Sequence, residues 1–223
     1  MKVEELRVFL YTIANKDQSG DLPSPEQLNS LLARATEEKF IIEYGLRGNQ
    51  NGIFFQNSQN STDALAPFLV ATVINQTLPG VFVVPADYVH LSSVGSTYNG
   101  KRVVITVVND DEWNDRVDSP LTPATDKYPI ARFVSAGTAR LISVMPATVT
   151  SIFFNYLKKP VDPVWGYTIV NDEPVYNPAT SVQMEFAPMY HLDIAKLILS
   201  YLGIEFRDEY LSQFAEMSKA QTT

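Results

Sequence analysis

The amino-acid sequence predicts an α+β fold: an N-terminal helical hairpin over residues 1–45, a mainly antiparallel β region over residues 70–187, and C-terminal helices over residues 188–220. Apolar residues recur at three- and four-residue spacing near the two ends of the chain. The middle consists of β-branched and aromatic runs punctuated by proline, glycine and asparagine, which is typical of strands. Because strands and helices do not alternate, we do not expect a doubly wound parallel sheet.

Two helices are expected at the N-terminus. The apolar stripe of the first helix comprises Val3, Leu6, Phe9, Leu10 and Ile13. The second helix has the same spacing from Leu28 toward Phe40, and Gly45 is a plausible stop.

The stretch between these helices, NKDQSGDLPSPE, has the spacing of a calcium-binding loop. The residues at its ligand positions are Asn15, Asp17, Ser19 and Glu26. The other interpretation is a helix-hairpin turn in which Ser24 caps the second helix and Pro25 is its first residue. We favour the turn, because only two carboxylates are in register, and a calcium-binding interaction module remains the alternative function.

The β region begins after an arm over residues 46–62, which is rich in Asn, Gln and Gly. A short helix is expected over ALAPFLVA, and strands over VFVVP, DYVHLSSVGSTY, KRVVITVV, IARFVSAGTARLISVMP and SIFFNYLKKP. A second arm over residues 109–129 includes a helical turn at DDEWNDRV. WGYTIVNDEPVYNP predicts a hairpin turning at residues 171–174, and SVQMEFAP predicts one more strand. The helices LDIAKLILSYLG and RDEYLSQFAEMSKA then complete one structural domain over residues 1–223.

Composition excludes several classes of function. The chain has no cysteine, which removes disulfides, thiolate zinc sites and thiol nucleophiles. Its net charge of −8 argues against a dedicated nucleic-acid-reading domain. No uninterrupted apolar stretch reaches the roughly 18 to 20 residues of a membrane-spanning helix, so no membrane association is expected.

No catalytic or nucleotide-binding motif occurs in the sequence, so we expect no catalytic residue, no metal site and no cofactor. The densest acidic stretch comprises Asp110, Asp111, Glu112, Asp115, Asp118 and Asp126. We interpret it as a solvated face, and a hydrolase that uses these carboxylates is the competing hypothesis.

Several phrases of the chain occur in a familiar order. They are FLYTIANKDQSGDLPSPEQLNSLLARA at the start, DYVHLSSV followed by RVDSPLTPATDKYPIARF in the middle, and YLKKPVDPVWGYTIV with MEFAPMYHLDIAKLILSYLGIEFRDEYLSQFAEMSKA at the end. Together they resemble virion structural proteins of tailed bacteriophages, specifically the crAss-like phages that infect Bacteroides-type bacteria. The resemblance covers most of the chain and depends on the joint order of the phrases.

The resemblance implies a head-to-tail connector that forms a closed ring in the phage neck, commonly a dodecamer. The implied partners are further copies of the chain, the portal, and neighbouring neck or tail proteins, with DNA passing through the lumen without sequence-specific binding. It also implies assembly in the host cytoplasm, residence in the virion and no enzymatic activity. Candidate intersubunit contacts, chosen among aromatic residues in loop-like sequence, are Phe54, Phe55, Trp113, Tyr128 and Trp165.

Overall fold

The computed structural model describes residues 2–16, 23–45, 63–117 and 119–202. It confirms the predicted α+β class. The chain divides into two compact units, and the single structural domain expected over residues 1–223 stays a prediction. We call residues 1–67 with 160–223 the helical unit, and residues 68–159 the β unit. The β unit is inserted into the helical unit, and Pro67 and Pro160 mark the two crossings.

The elements within the described ranges are as follows. The helices are α1 (Val3–Lys16), α2 (Pro25–Gly45), α3 (Asp110–Val117) and α4 (His191–Tyr201). The strands are β1 (Leu69–Asn75), β2 (Val81–Val83), β3 (Tyr88–Tyr98), β4 (Lys101–Val104), β5 (Thr106–Val107), β6 (Ile130–Ala136), β7 (Ala139–Met145), β8 (Ser151–Lys158), β9 (Tyr167–Val170) and β10 (Glu173–Tyr176).

The helical unit is built on α4, which α1 and α2 both contact. Most of the apolar stripe of each helix is buried, as the sequence periodicity predicts, whereas Phe9 and Ile13 of α1 are half-buried. The buried positions include Val3, Leu6 and Leu10 of α1, Leu28, Leu32 and Ala35 of α2, and Ile194, Ile198 and Leu199 of α4. The second predicted C-terminal helix lies outside the described residues. No described helix is long and apolar enough to cross a lipid bilayer.

A polar network ties α2 to α4. The buried Lys39 ammonium donates hydrogen bonds to Glu43 Oε1 at 2.7 Å and to Asp193 Oδ2 at 2.9 Å. Burial alone would lower the pKa of Lys39, but the hydrogen bonds to Glu43 and Asp193 outweigh it and raise that pKa. Because Lys39 and Glu43 both belong to α2, the contact between Lys39 and Asp193 is the part of the network that joins the two helices.

The start of α2 has the Ser24 cap and the Pro25 start that the helix-hairpin interpretation predicts. The Gln27 amide N–H donates to Ser24 Oγ at 3.2 Å, and the Ser24 amide N–H donates to Gln27 Oε1 at 2.9 Å. This reciprocal pair is a capping box, with Pro25 at the first helical position. Asp17, Ser19 and the side chain of Asn15 lie outside the described residues, so calcium binding at this loop stays a hypothesis. The described residues contain no group of three or more acidic or histidine side chains that could hold a metal ion.

The β unit consists of two four-stranded sheets, ordered β1-β8-β3-β4 and β2-β7-β6-β5. All strand pairs are antiparallel except β5 with β6. Both sheets contribute to one hydrophobic core, which includes Phe82, Val94, Ile142, Ile152 and Phe154. The β unit therefore buries the inner faces of two sheets against one another.

One helix prediction and one strand prediction are wrong. ALAPFLVA is not a helix throughout: a 3-10 turn ends at Phe68, and the edge strand β1 begins at Leu69. The β-branched run LVATVIN can alternate across a sheet, and its pairing with β8 outweighs the helical reading. SVQMEFAP forms only an isolated bridge between Val182 and Val164. There the Glu185 carboxylate accepts the Val161 amide N–H at 3.0 Å, so a side chain supplies part of the pairing that a strand would give.

Strand β3 does not alternate as its sequence suggests. Its pairing with β8 shifts register between Tyr88 and His90, and again between Leu91 and Ser93. Each shift is a β-bulge, which inserts one residue and changes the face of the residues that follow. As a result Tyr88, Leu91 and Val94 all contact the core although they are spaced by three.

Candidate assembly surface

The hairpin β9–β10 of the helical unit carries exposed apolar side chains on both of its strands. Its strands pair antiparallel from Tyr167–Tyr176 at the base to Val170–Glu173 at the turn. Asn171 and Asp172 both adopt positive φ, 52° and 63°, which gives the tight turn that twisted strands favour. The hairpin is therefore confirmed with its turn where the sequence predicts it.

Both faces of this hairpin are exposed within the helical unit. Adjacent residues of a strand point to opposite faces, yet Ile169 is 70% exposed and Val170 50% exposed. Val175 on the partner strand is 48% exposed. The two strands form a sheet of their own and carry no third strand among the described residues. The hairpin therefore projects as a ribbon with two open edges. Pro174 removes one N–H donor from β10, so the edge of β9 is the one better suited to pairing with another chain.

A two-stranded hairpin is marginally stable alone, so its base must be held by other groups. The Trp165 ring stacks with the Tyr167 ring at 5.5 Å between centroids and 16° between planes, and with the Tyr176 ring at 6.2 Å and 29°. The Tyr176 hydroxyl also accepts a hydrogen bond from Gln183 Nε2 at 3.3 Å. The Trp165 ring thus contacts both strands at the base of the hairpin.

Trp165 is itself fixed to the helices. Its indole N–H donates to the Glu4 carboxylate on α1, and the Arg7 guanidinium lies 4.2 Å from the centre of its ring. The Asn29 amide on α2 accepts the Trp165 backbone N–H at 2.7 Å and donates to the Trp165 carbonyl at 3.2 Å. Since the Trp165 side chain is fully buried, these contacts give the ribbon a rigid base.

Gly166 lets the chain pass close to the segment that follows the hairpin. A Cβ at this position would lie 2.5 Å from the Thr180 carbonyl carbon and 2.7 Å from the Ser181 nitrogen. The Gly166 N–H donates to Ser181 Oγ at 3.0 Å, and its carbonyl accepts the Asn177 N–H at 2.8 Å. We call Trp165, Gly166, Tyr167 and Tyr176 the hairpin mount.

The structure corrects the predicted exposure of two of the five candidate contact residues. Trp165 is fully buried in the hairpin mount, and Trp113 is buried with Val108 and Ile130 in a small core of the β unit. Tyr128 is 64% exposed, so its role as an intersubunit contact stays a prediction. Phe54 and Phe55 lie outside the described residues.

The acidic stretch divides its carboxylates among separate partners. Asp110 accepts from Arg132 at 3.0 Å, and Glu112 lies 3.6 Å from Arg116 on the same helix. The Asp126 carboxylate accepts from the Thr148 hydroxyl. Asp110 and Glu112 lie in the first turn of α3, and these three carboxylates have three different partners, which favours the solvated-face interpretation over the hydrolase.

The sequence predicts the hairpin β9–β10 but was not interpreted as placing exposed apolar side chains on it. Ile169 and Val170 are adjacent apolar residues in a strand, which breaks the alternation of a half-buried strand. That pattern predicts a hairpin with apolar side chains on both faces. Two of the candidate contacts, Trp113 and Tyr128, belong instead to the arm over residues 109–129, whose helix packs on the β unit through the buried Trp113.

A scan against models of known protein families finds no match for the chain, and a search of curated proteins finds no matching relative.

Proposed function

We propose that the chain is a non-enzymatic structural subunit that assembles into a closed ring in the neck of a tailed phage, between the portal and the tail. The assignment to a phage neck is supported by the sequence resemblance. The assignment to assembly is supported by one structural observation, the projecting hairpin β9–β10. It is a rigid ribbon that exposes Ile169, Val170 and Val175, and such a surface is typical of a protein interface.

The rigidity of the hairpin mount favours assembly over an incidental exposed loop. A flexible loop loses conformational entropy when it binds, which reduces the affinity. Here Trp165, Tyr167 and Tyr176 hold both strand ends before any partner arrives. The open strand edges add main-chain hydrogen-bonding groups to the apolar side chains.

The charge of the chain is compatible with a channel for DNA. A net charge of −8 repels phosphate, so a lumen lined by this subunit would let DNA pass without retaining it. A map of the assembled ring in which this subunit lines the lumen with basic side chains would contradict this part of the proposal.

The assembly role is tested by replacing the exposed apolar residues of the hairpin. Ile169→Thr with Val175→Thr keeps the β-branched shape of both side chains but makes them polar. We expect the full-length variant to stay folded by circular dichroism and to lose assembly in light scattering.

The matched control is Val104→Thr, which alters a residue that is 78% exposed on β4 of the β unit. This variant should assemble like the unaltered chain. Equal assembly of the hairpin variant and the unaltered chain would contradict a role for the hairpin.

A further inference from the structure

The β unit contains an open cleft of about 700 Å³. One side of the cleft is lined by β1 residues Thr72, Val73, Ile74 and Asn75. A second side is lined by Val83, Val84, Pro85 and Ala86. Thr138, Ala139 and Arg140, where β7 begins, and the Tyr88 ring line the remainder. Its volume lies within the range of sites that bind ligands or inserted chain segments.

The cleft follows the free edges of strands rather than the face of a sheet. Residues that line a face alternate along a strand, whereas residues 72–75 are consecutive. β1 is the last strand of one sheet and β2 is the last strand of the other. The cleft therefore lies where two strand edges leave main-chain groups available, and such an edge accepts an added strand.

The charge and polarity of the cleft fit an acidic, apolar strand. Among the described residues Arg140 has no ion pair, and its guanidinium lies 5.9 Å from the centre of the Tyr88 ring. Val73 and Val83, both lining residues, are 55% and 43% exposed. The cleft thus offers one unpaired cation next to apolar side chains.

The hairpin β9–β10 carries the complementary groups. Its turn and the residue after it bear the carboxylates Asp172 and Glu173, and neither has an ion pair in the part of the chain that the structure describes. Ile169 of β9 and Val175 of β10 lie farther from the turn than these carboxylates. A strand from this ribbon would place an acidic end near Arg140 and bury apolar side chains in the cleft.

We propose that the hairpin β9–β10 of one copy inserts into the β1–β2 cleft of a second copy, with one of its strands adding to the free edge of β1. The inference rests on the proposed function and specifies its interface. Hairpin and cleft are different surfaces of the chain, so the contact is heterologous, and repeated contacts of this kind close into a ring when the rotation permits.

The absence of native cysteine allows a direct test by disulfide crosslinking of the full chain. Val175→Cys is placed in one copy and Val83→Cys in the other, and the two are mixed under mild oxidation. A disulfide forms only where the two Cα atoms approach within about 7 Å. We expect a crosslinked heterodimer from this mixture.

The matched control replaces Val83→Cys by Val104→Cys, an equally simple change on β4 at the opposite edge of the β1 sheet. This mixture should give only background crosslinking. If the unaltered chain forms rings but the two mixtures crosslink equally, the cleft assignment is wrong while the proposed function stands. If the chain stays monomeric at every concentration, the proposed function itself is contradicted.

A charge swap tests the polar part of the contact. Glu173→Lys alone and Arg140→Glu alone should each weaken association about fivefold, because each places like charges together. The double variant should restore association to near the original value. Additive weakening in the double variant would show that Glu173 and Arg140 do not meet.

Discussion

At the scale of single residues, Gly166 is the position where the hairpin mount tolerates a side chain least. A Cβ there would meet the Thr180 side-chain hydroxyl first, and behind it the backbone of Thr180 and Ser181, which cannot rotate away as a side chain can. We predict that Gly166→Ala lowers the free energy of unfolding by about 1–3 kcal/mol. Thermal denaturation measures the change.

The control for this prediction is Gly45→Ala at the end of α2. An added Cβ there has no heavy atom within 4 Å, so the stability should change by less than about 1 kcal/mol. Equal midpoints for Gly166→Ala and the unaltered chain would mean that the chain at residues 180–181 is farther from Gly166 than described.

Tyr156 links the stability of the β unit to alkaline pH. Burial, followed by the hydrogen bond to Asp87 at 2.9 Å and the charge of Asp87, raises the pKa of Tyr156 to about 12. A raised pKa gives a contribution that is fully present below the unfolded pKa of 10.0 and is lost as the pH rises toward about 12. The contribution lost is roughly 2–3 kcal/mol.

We therefore predict that the unaltered chain loses stability between pH 10 and pH 12 and that Tyr156→Phe removes part of this loss. Chemical denaturation at several pH values measures both chains. The variant should be less stable at pH 8, because the Asp87 carboxylate loses its hydrogen-bond donor. Parallel pH profiles for the two chains would exclude Tyr156 as a source of the alkaline loss.

Trp165 illustrates which properties of a residue the sequence can and cannot predict. Its flanking residues, Gly166 and a proline two positions earlier, suggest loop sequence and hence exposure. Its burial arises from Glu4, Arg7 and Asn29, which lie more than a hundred residues away in sequence. No local pattern encodes such long-range contacts.

At the scale of elements, the capping box determines where α2 begins. Ser24 and Gln27 satisfy each other's backbone N–H groups at the helix start. Ser24→Ala removes one of these bonds and should destabilise the chain by about 1 kcal/mol. Ser30→Ala, an exposed change within the same helix, should be neutral or slightly stabilising, because alanine has the higher helix propensity. Equal loss in both variants, measured by thermal denaturation, would contradict the cap.

Element types were predictable wherever periodicity was strong, as in α1, α2, α4 and the hairpin β9–β10. The structure differs where local patterns compete with pairing. Residues 69–71 were predicted as the end of a helix but begin β1 and pair with β8, and the bulges in β3 change which of its residues face the core. Pairing partners are distant in sequence, so neither outcome follows from composition alone.

At the scale of the whole molecule, the division into two units was not predictable from composition, because both crossings are single prolines rather than long linkers. The insertion also affects the choice of a segment to delete as a test of assembly. The arm over residues 109–129 includes Trp113 of the β-unit core, so its deletion would remove core contacts as well as any interface. The hairpin is the better target, since its apolar residues are exposed.

The proposed function depends on a closed ring, which electron microscopy of the purified full-length chain would show. Images should show closed rings with one central channel, and light scattering on the same sample should give a mass that is a fixed multiple of 24.9 kDa. The resemblance leads us to expect twelve copies. Single particles of monomer mass at every concentration examined would contradict the account.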